Sequence, residues 1–151
     1  MSRHYADCAQ KMAEYRGGEW DALYRFAEQV FSYLAVKTEI AEQLHPAYHA
    51  GDRATLTKIA NELLPALKQK TAELALTHRT LWMEERTMVG WCHLDVRYAG
   101  VCARCDTAIC LLNRFLDGTD TKIDELEEVR LHKPLHGFTS YSRIATPNLN
   151  I

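Results

Sequence analysis

The sequence predicts an all-α fold: an elongated antiparallel helical bundle of three long helices, with a short helix at each terminus. Three observations predict it. Apolar residues recur at steps of three and four along most of the chain, while strand-type alternation is nearly absent. Punctuation is sparse, with seven glycines and four prolines, and Gly17, Gly18, Gly51, Gly90 and Gly118 fall where one periodic stretch should give way to the next. The three long stretches, at 1.5 Å per residue, are each roughly 45 Å long, and short connections between them force antiparallel packing.

The first helix is expected from about Ser2 to Arg16, ended by Gly17-Gly18. The second should run from Glu19 to about Ala50. Its stripe is Trp20, Leu23, Ala27, Val30, Leu34, Ala41, Leu44 and Tyr48, with Phe26, Tyr33, Ile40 and Ala47 on a neighbouring face. Apolar residues on two faces predict burial against several partners. Pro46 is expected to kink this helix or end it early. Gly51 then reads as its C-cap and Asp52 as the next N-cap.

The third helix, Arg53 to about Glu85, carries Leu56, Ala60, Leu63, Leu67, Thr71, Leu74, His78 and Leu81, with a kink expected at Pro65. The fourth, about Val89 to Asp117, has the most regular stripe: Trp91, Leu94, Tyr98, Val101, Cys105, Ala108, Leu112 and Phe115. Gly118 closes it. A short acidic helix from Thr121 to about Leu131 should follow, capped by Asp120 or Thr121. The domain is therefore expected to span residues 1–131, with a tail over 132–151 running on its surface.

A chain of 151 residues suits one domain and can bury roughly 70% of its unfolded surface without staples. Its 47% apolar and 25% charged residues argue against disorder. Eighteen Lys and Arg against 20 Asp and Glu leave a net charge of −2, so nothing favours a nucleic-acid partner. No apolar run reaches the ~18–20 residues of a membrane span, and the first residues lack the apolar core of a secretory signal. The five cysteines, an odd number, read as reduced thiols in a cytoplasmic protein.

No catalytic centre is legible. Cys102-Ala103-Arg104-Cys105 is a lone CxxC. Zinc would need two further ligands, for which Cys92, His93 and Cys110 are the local candidates. A redox pair would want a helix N-terminus, whereas this pair lies mid-helix, where thiols pack as small apolar groups. Asp124-Glu125 could suggest acid–base work on a sugar, but neighbours on a helix point about 100° apart and the run reads as a solvated face. His45 and His49 have the i, i+4 spacing that can bind metal, with Pro46 expected to disturb the helix between them. His78, on an apolar stripe, reads as a core histidine with a hydrogen-bond partner. No cofactor is expected.

Several segments in order resemble the C-terminal helical region of bacterial family-20 β-N-acetylhexosaminidases. They are His4-Tyr5-Ala6 with Gly18-Glu19-Trp20, then Val36-Lys37-Thr38-Glu39 with Ala47-Tyr48-His49-Ala50-Gly51-Asp52. The most specific is Leu81-Trp82-Met83-Glu84-Glu85, Gly90-Trp91 and Leu94-Asp95-Val96-Arg97-Tyr98-Ala99-Gly100. Ile123 to Leu131 and Ser142 to Asn148 complete the set. The chain departs from the pattern at Arg86-Thr87, where the family has Asn-Lys, and at Ala99, where it has Gly.

The resemblance implies a domain without its own chemistry. In the family, a preceding (β/α)8 barrel carries the Asp-Glu pair that removes terminal β-linked GlcNAc or GalNAc with help from the sugar's acetamido group. No residue here matches that pair. The implied partners are the parent's catalytic barrel and a second copy in a homodimer. Trp82, Trp91, Asp95, Arg97 and Tyr98 are the candidate contact residues, combining aromatic anchors with charge; Trp91 and Tyr98 read equally as internal core. Two rival readings remain: a stand-alone helical interaction module, and a zinc-binding or thiol-redox bundle built on Cys102 and Cys105.

Overall fold

A computed structural model describes residues 1–128, the side chain of Glu85 apart. All regular structure among them is helical. Helix α1 spans Ser2–Glu14, α2 Asp21–Ala50 and α3 Arg53–Lys58. A π-helical turn, Ile59–Leu63, leads directly into α4, Leu64–Glu85. Helix α5 spans Trp91–Leu116 and α6 Asp124–Glu127. The expected surface tail over 132–151, and the end of the last helix, lie outside the described residues.

Side-chain pairs fix the register. Between α2 and the α3–α4 rod, Lys58 meets Glu39, Lys70 meets Ser32 and Phe26 meets His78. Between α4 and α5, Lys68 meets Asp106, His78 meets Tyr98 and Trp82 meets Trp91. In each set one number rises as the other falls, so the neighbours are antiparallel. Helix α1 folds back on α2 the same way: the Ser2 hydroxyl donates to Ala35 O, and Tyr5 stacks on Phe31.

The α3–α4 rod is the middle of the bundle. Leu56 and Ile59 have no exposed surface, and Ala60, Leu63, Leu64, Leu67, Thr71 and Leu74 are buried. The Thr71 hydroxyl is accommodated there because it donates to Leu67 O at 2.7 Å. From α2 come Ile40, Ala47 and Tyr48, and from α5 Trp91, Cys105 and Leu112. The stripes of the third and fourth helices thus supply most of the core.

The connections follow the expected chemistry. Gly51 caps α2 at φ +67°, and the Asp52 carboxylate accepts from Thr55 N–H at the start of α3. The Thr55 hydroxyl, donating to Asp52 Oδ2 at 2.6 Å, and then the Thr55 N–H hold the Asp52 carboxyl below the usual range. Gly118 closes the α5 end at φ +84°.

Several expectations are corrected. Helix α1 stops at Glu14, ahead of the Gly17-Gly18 pair, and α2 begins at Asp21, whose carboxylate accepts from Gly17 N–H. Pro46 neither ends nor shortens α2; it lies on the exposed face, where water can take the carbonyl it frees. The irregularity expected at Pro65 falls one turn earlier, as the π-turn in which Leu64 N–H donates to Ile59 O, five residues back. Helix α5 runs from Trp91 to Leu116, inside the expected bounds. The last helix starts at Asp124, with Ile123 as its N-cap residue. Asp120 is diverted into a two-pronged ion pair with Arg114, at 2.6 and 2.8 Å.

Tyr48 locks α6 to the bundle. Its hydroxyl accepts from buried Ile123 N–H at 3.0 Å and donates to Glu127 Oε1 at 2.6 Å. Burial, reinforced by that carboxylate, raises the phenol's pKa. Tyr48→Phe leaves the Ile123 N–H without its partner, so chemical denaturation should read a loss of about 1–3 kcal/mol with helical content retained.

Candidate interface at the aromatic end of the bundle

The end formed by the α1–α2 turn and the α4–α5 loop differs in character from the end near α6. Helical spacing brings its groups together. His78 and Trp82 lie one turn apart on α4, and Trp91, Asp95 and Tyr98 lie along one face of α5. Gly90, at φ +88°, makes the reversal that returns Trp91 toward α4.

His78 is the hub. Its ring centre lies 4.9 Å from Phe26, 5.2 Å from Trp91, 6.1 Å from Tyr98 and 6.2 Å from Trp82. His78 Nδ1 and the Tyr98 hydroxyl share a hydrogen bond of 2.8 Å. The ring has the hydrogen-bond partner anticipated from its place on an apolar stripe, but it is half-buried and lies outside the core. Desolvation lowers its pKa and raises that of Tyr98.

The five sequence-predicted contact residues are drawn to this end, but in different settings. Trp91 is 3% exposed, and its Nε1–H donates to Asp95 Oδ1 at 2.7 Å. Tyr98 is half-buried against His78. Trp82 is half-buried; its Nε1–H donates to Thr87 O at 2.8 Å, and the Arg86 guanidinium lies 5.2 Å from its ring centre. Arg86 and Thr87 therefore hold the loop to Trp82. Asp95 and Arg97 are exposed on the first two turns of α5.

Around this cluster lies an apolar rim. Apart from Met1, every large apolar side chain that is exposed among the described residues belongs to it or borders it. Tyr15, Trp20 and Leu23 come from the α1–α2 turn, Leu76 and Met83 from α4, Met88 and Val89 from the loop, and Val96 from α5. Trp20 and Leu23 were expected to be buried on the stripe of the second helix. They are 63% and 53% exposed, although α4 runs beside this part of α2. Their large apolar surface beside a turn is the sequence signal that could have marked this rim.

The other constellations separate. Cys105 is buried, where desolvation raises its thiol pKa, opposite to the thiolate a redox pair needs. Cys102 is directed toward Lys68 O. All five cysteines are free thiols. Among the described residues no three His, Cys, Asp or Glu side chains form a metal-holding group. Asp124 pairs with Lys122 and Glu125 with Arg104, so the two carboxylates point to different partners.

The chain matches, over residues 1–137, the family described as the Glycoside Hydrolase 20C C-terminal domain. The chain belongs to that family. It is a C-terminal domain of a family-20 glycoside hydrolase protein, which associates it with the catalytic domain of its parent. No curated protein matches the chain. The family match passes the last described residue, so the glycoside hydrolase 20C C-terminal domain includes part of the sequence that follows α6. No described helix of this domain is long and apolar enough to cross a membrane.

The enclosure of His78 has a consequence with a definite sign. An imidazole in the unfolded chain titrates near 6.5, and that of the folded chain lies lower. The unfolded state therefore takes the proton first as pH falls. This contribution to stability is complete above about pH 6.5 and is lost as pH drops through the folded value. His78→Phe should reduce the fall in thermal midpoint between about pH 7.5 and 5 relative to the parent. An unchanged fall would place the acid sensitivity elsewhere.

Proposed function

We propose that this domain has no reaction of its own and serves as a packing unit for the catalytic (β/α)8 barrel of a β-N-acetylhexosaminidase. Its aromatic end is the docking surface. The observation that carries this reading is the collection at that end of every exposed large apolar side chain among the described residues except Met1. An isolated surface seldom leaves so many apolar groups together unless another surface covers them.

Within this reading Trp91 and Tyr98 are the rigid backing, and Trp82, Asp95 and Arg97 meet the partner with the surrounding rim. Aromatic and methionine side chains supply area, and the charged groups of α5 supply register. The parent's homodimer uses the same end of the domain, so that barrel and second copy share one apolar contact region. The parent works in the cytoplasm and removes terminal β-linked GlcNAc or GalNAc.

The test uses the intact parent enzyme. Val89→Glu and Met83→Glu place charges on the rim at positions without a core role, and each should cost about 2 kcal/mol of inter-domain contact. Expected results are a lower thermal midpoint of the catalytic domain and at least a tenfold loss of chromogenic β-GlcNAc hydrolysis. Dimer mass in sedimentation should fall as well. Unchanged activity, midpoint and mass in both variants, and in Asp95→Ala and Arg97→Ala, would overturn the reading.

A further inference from the structure

His45 and His49 occupy one face of the last two turns of α2, at the end of the bundle remote from the aromatic cluster. Their spacing matters only if the helix survives Pro46, and α2 continues without a break to Ala50. The two rings lean together at their nitrogen edges, with Nε2 to Nε2 at 3.0 Å and ring centres 4.2 Å apart. Both side chains are exposed, so a hydrated ion reaches them without opening the core. They also flank a helix C-terminus, where carbonyl groups carry partial negative charge that favours a cation.

We propose that His45 and His49 form a two-nitrogen chelate for a divalent transition-metal ion of square-planar or octahedral preference, nickel(II) or copper(II). The chord is compatible with that geometry. Imidazole nitrogens bind such ions at about 2.0–2.1 Å, and two nitrogens 3.0 Å apart then subtend about 94° at the ion. That is the angle between adjacent ligands in square-planar or octahedral coordination, whereas a tetrahedral ion sets them about 3.3 Å apart or more.

In the metal-free pair one Nε2–H donates to the other Nε2. Chelation needs both lone pairs, so that proton moves to Nδ1 of its own ring, and both rings turn until their Nε2 lone pairs converge on the ion, beside the line joining the two nitrogens. Water completes the coordination sphere, because two exposed nitrogens are all the pair supplies. The site does not depend on the docking role proposed for the aromatic end.

Isothermal titration of the untagged chain with Ni2+ tests the proposal. One ion per chain is expected, and His45→Ala and His49→Ala should each weaken binding at least tenfold. Circular dichroism should report an unchanged helix content in both, since neither ring is in the core. His4 and Cys8 are a second i, i+4 pair, with 3.7 Å between Nε2 and Sγ. Cys8→Ser and the exposed-thiol variant Cys92→Ser should bind as the parent does. Absence of binding in the parent, or binding lost in a cysteine variant but kept in both alanine variants, would overturn the assignment.

Discussion

The architecture depends on one constraint: the broad apolar face of the rod from Arg53 to Glu85 must be covered along its length. Leu56, Ile59, Ala60, Leu63, Leu64 and Leu67 fall on one broad face, an arc of about 140° at about 100° per residue, and all are buried. Burying such a helix needs a neighbour on each flank. Helices α2 and α5 take those positions, each packing on the rod more than on the other. The π-turn lies within the most deeply buried stretch, where it accommodates Pro65 without interrupting the rod.

Legibility in the sequence followed the range of the forces involved. The stripes of the third and fourth helices, the Gly51 cap and the Asp52 cap depend on residues within a turn or two of each other, and the sequence pattern states them directly. The stripe of the second helix was legible in period but not in burial. Whether Trp20 or Ile40 is covered depends on where other helices begin and end. Pro46 does not end α2, and the irregularity near Pro65 takes the form of a π-turn, because a proline's cost depends on whether water or a π-turn can absorb the lost hydrogen bond. The aromatic end was partly legible, since Trp82, Trp91 and Tyr98 stand out by residue type. Its hub was not, because Phe26 and His78 meet across 52 positions of chain.

The two ends of the domain divide its labour. Near α6 the polar groups are spent internally: Tyr48 holds Ile123 and Glu127, and Arg53 bonds Leu116 O. Arg114 grips Asp120 in the same region. At the opposite end the aromatic rings are ordered by hydrogen bonds from Trp82, Trp91 and His78, while the apolar rim remains exposed. Order beneath an exposed apolar surface suits a contact region, because the geometry is set before a partner arrives and little entropy remains to be lost.

Helix α1 stands apart from this scheme. None of its residues is buried, and it packs chiefly on α2, through half-buried contacts such as Tyr5 on Phe31. Its amides are therefore expected to be the least protected, exchanging with solvent if α1 detaches locally while the rod and its flanking helices stay intact. Each such excursion bares a strip of α2 beside Phe31 and Ala35, so the domain presents water with two apolar faces, one standing and one intermittent.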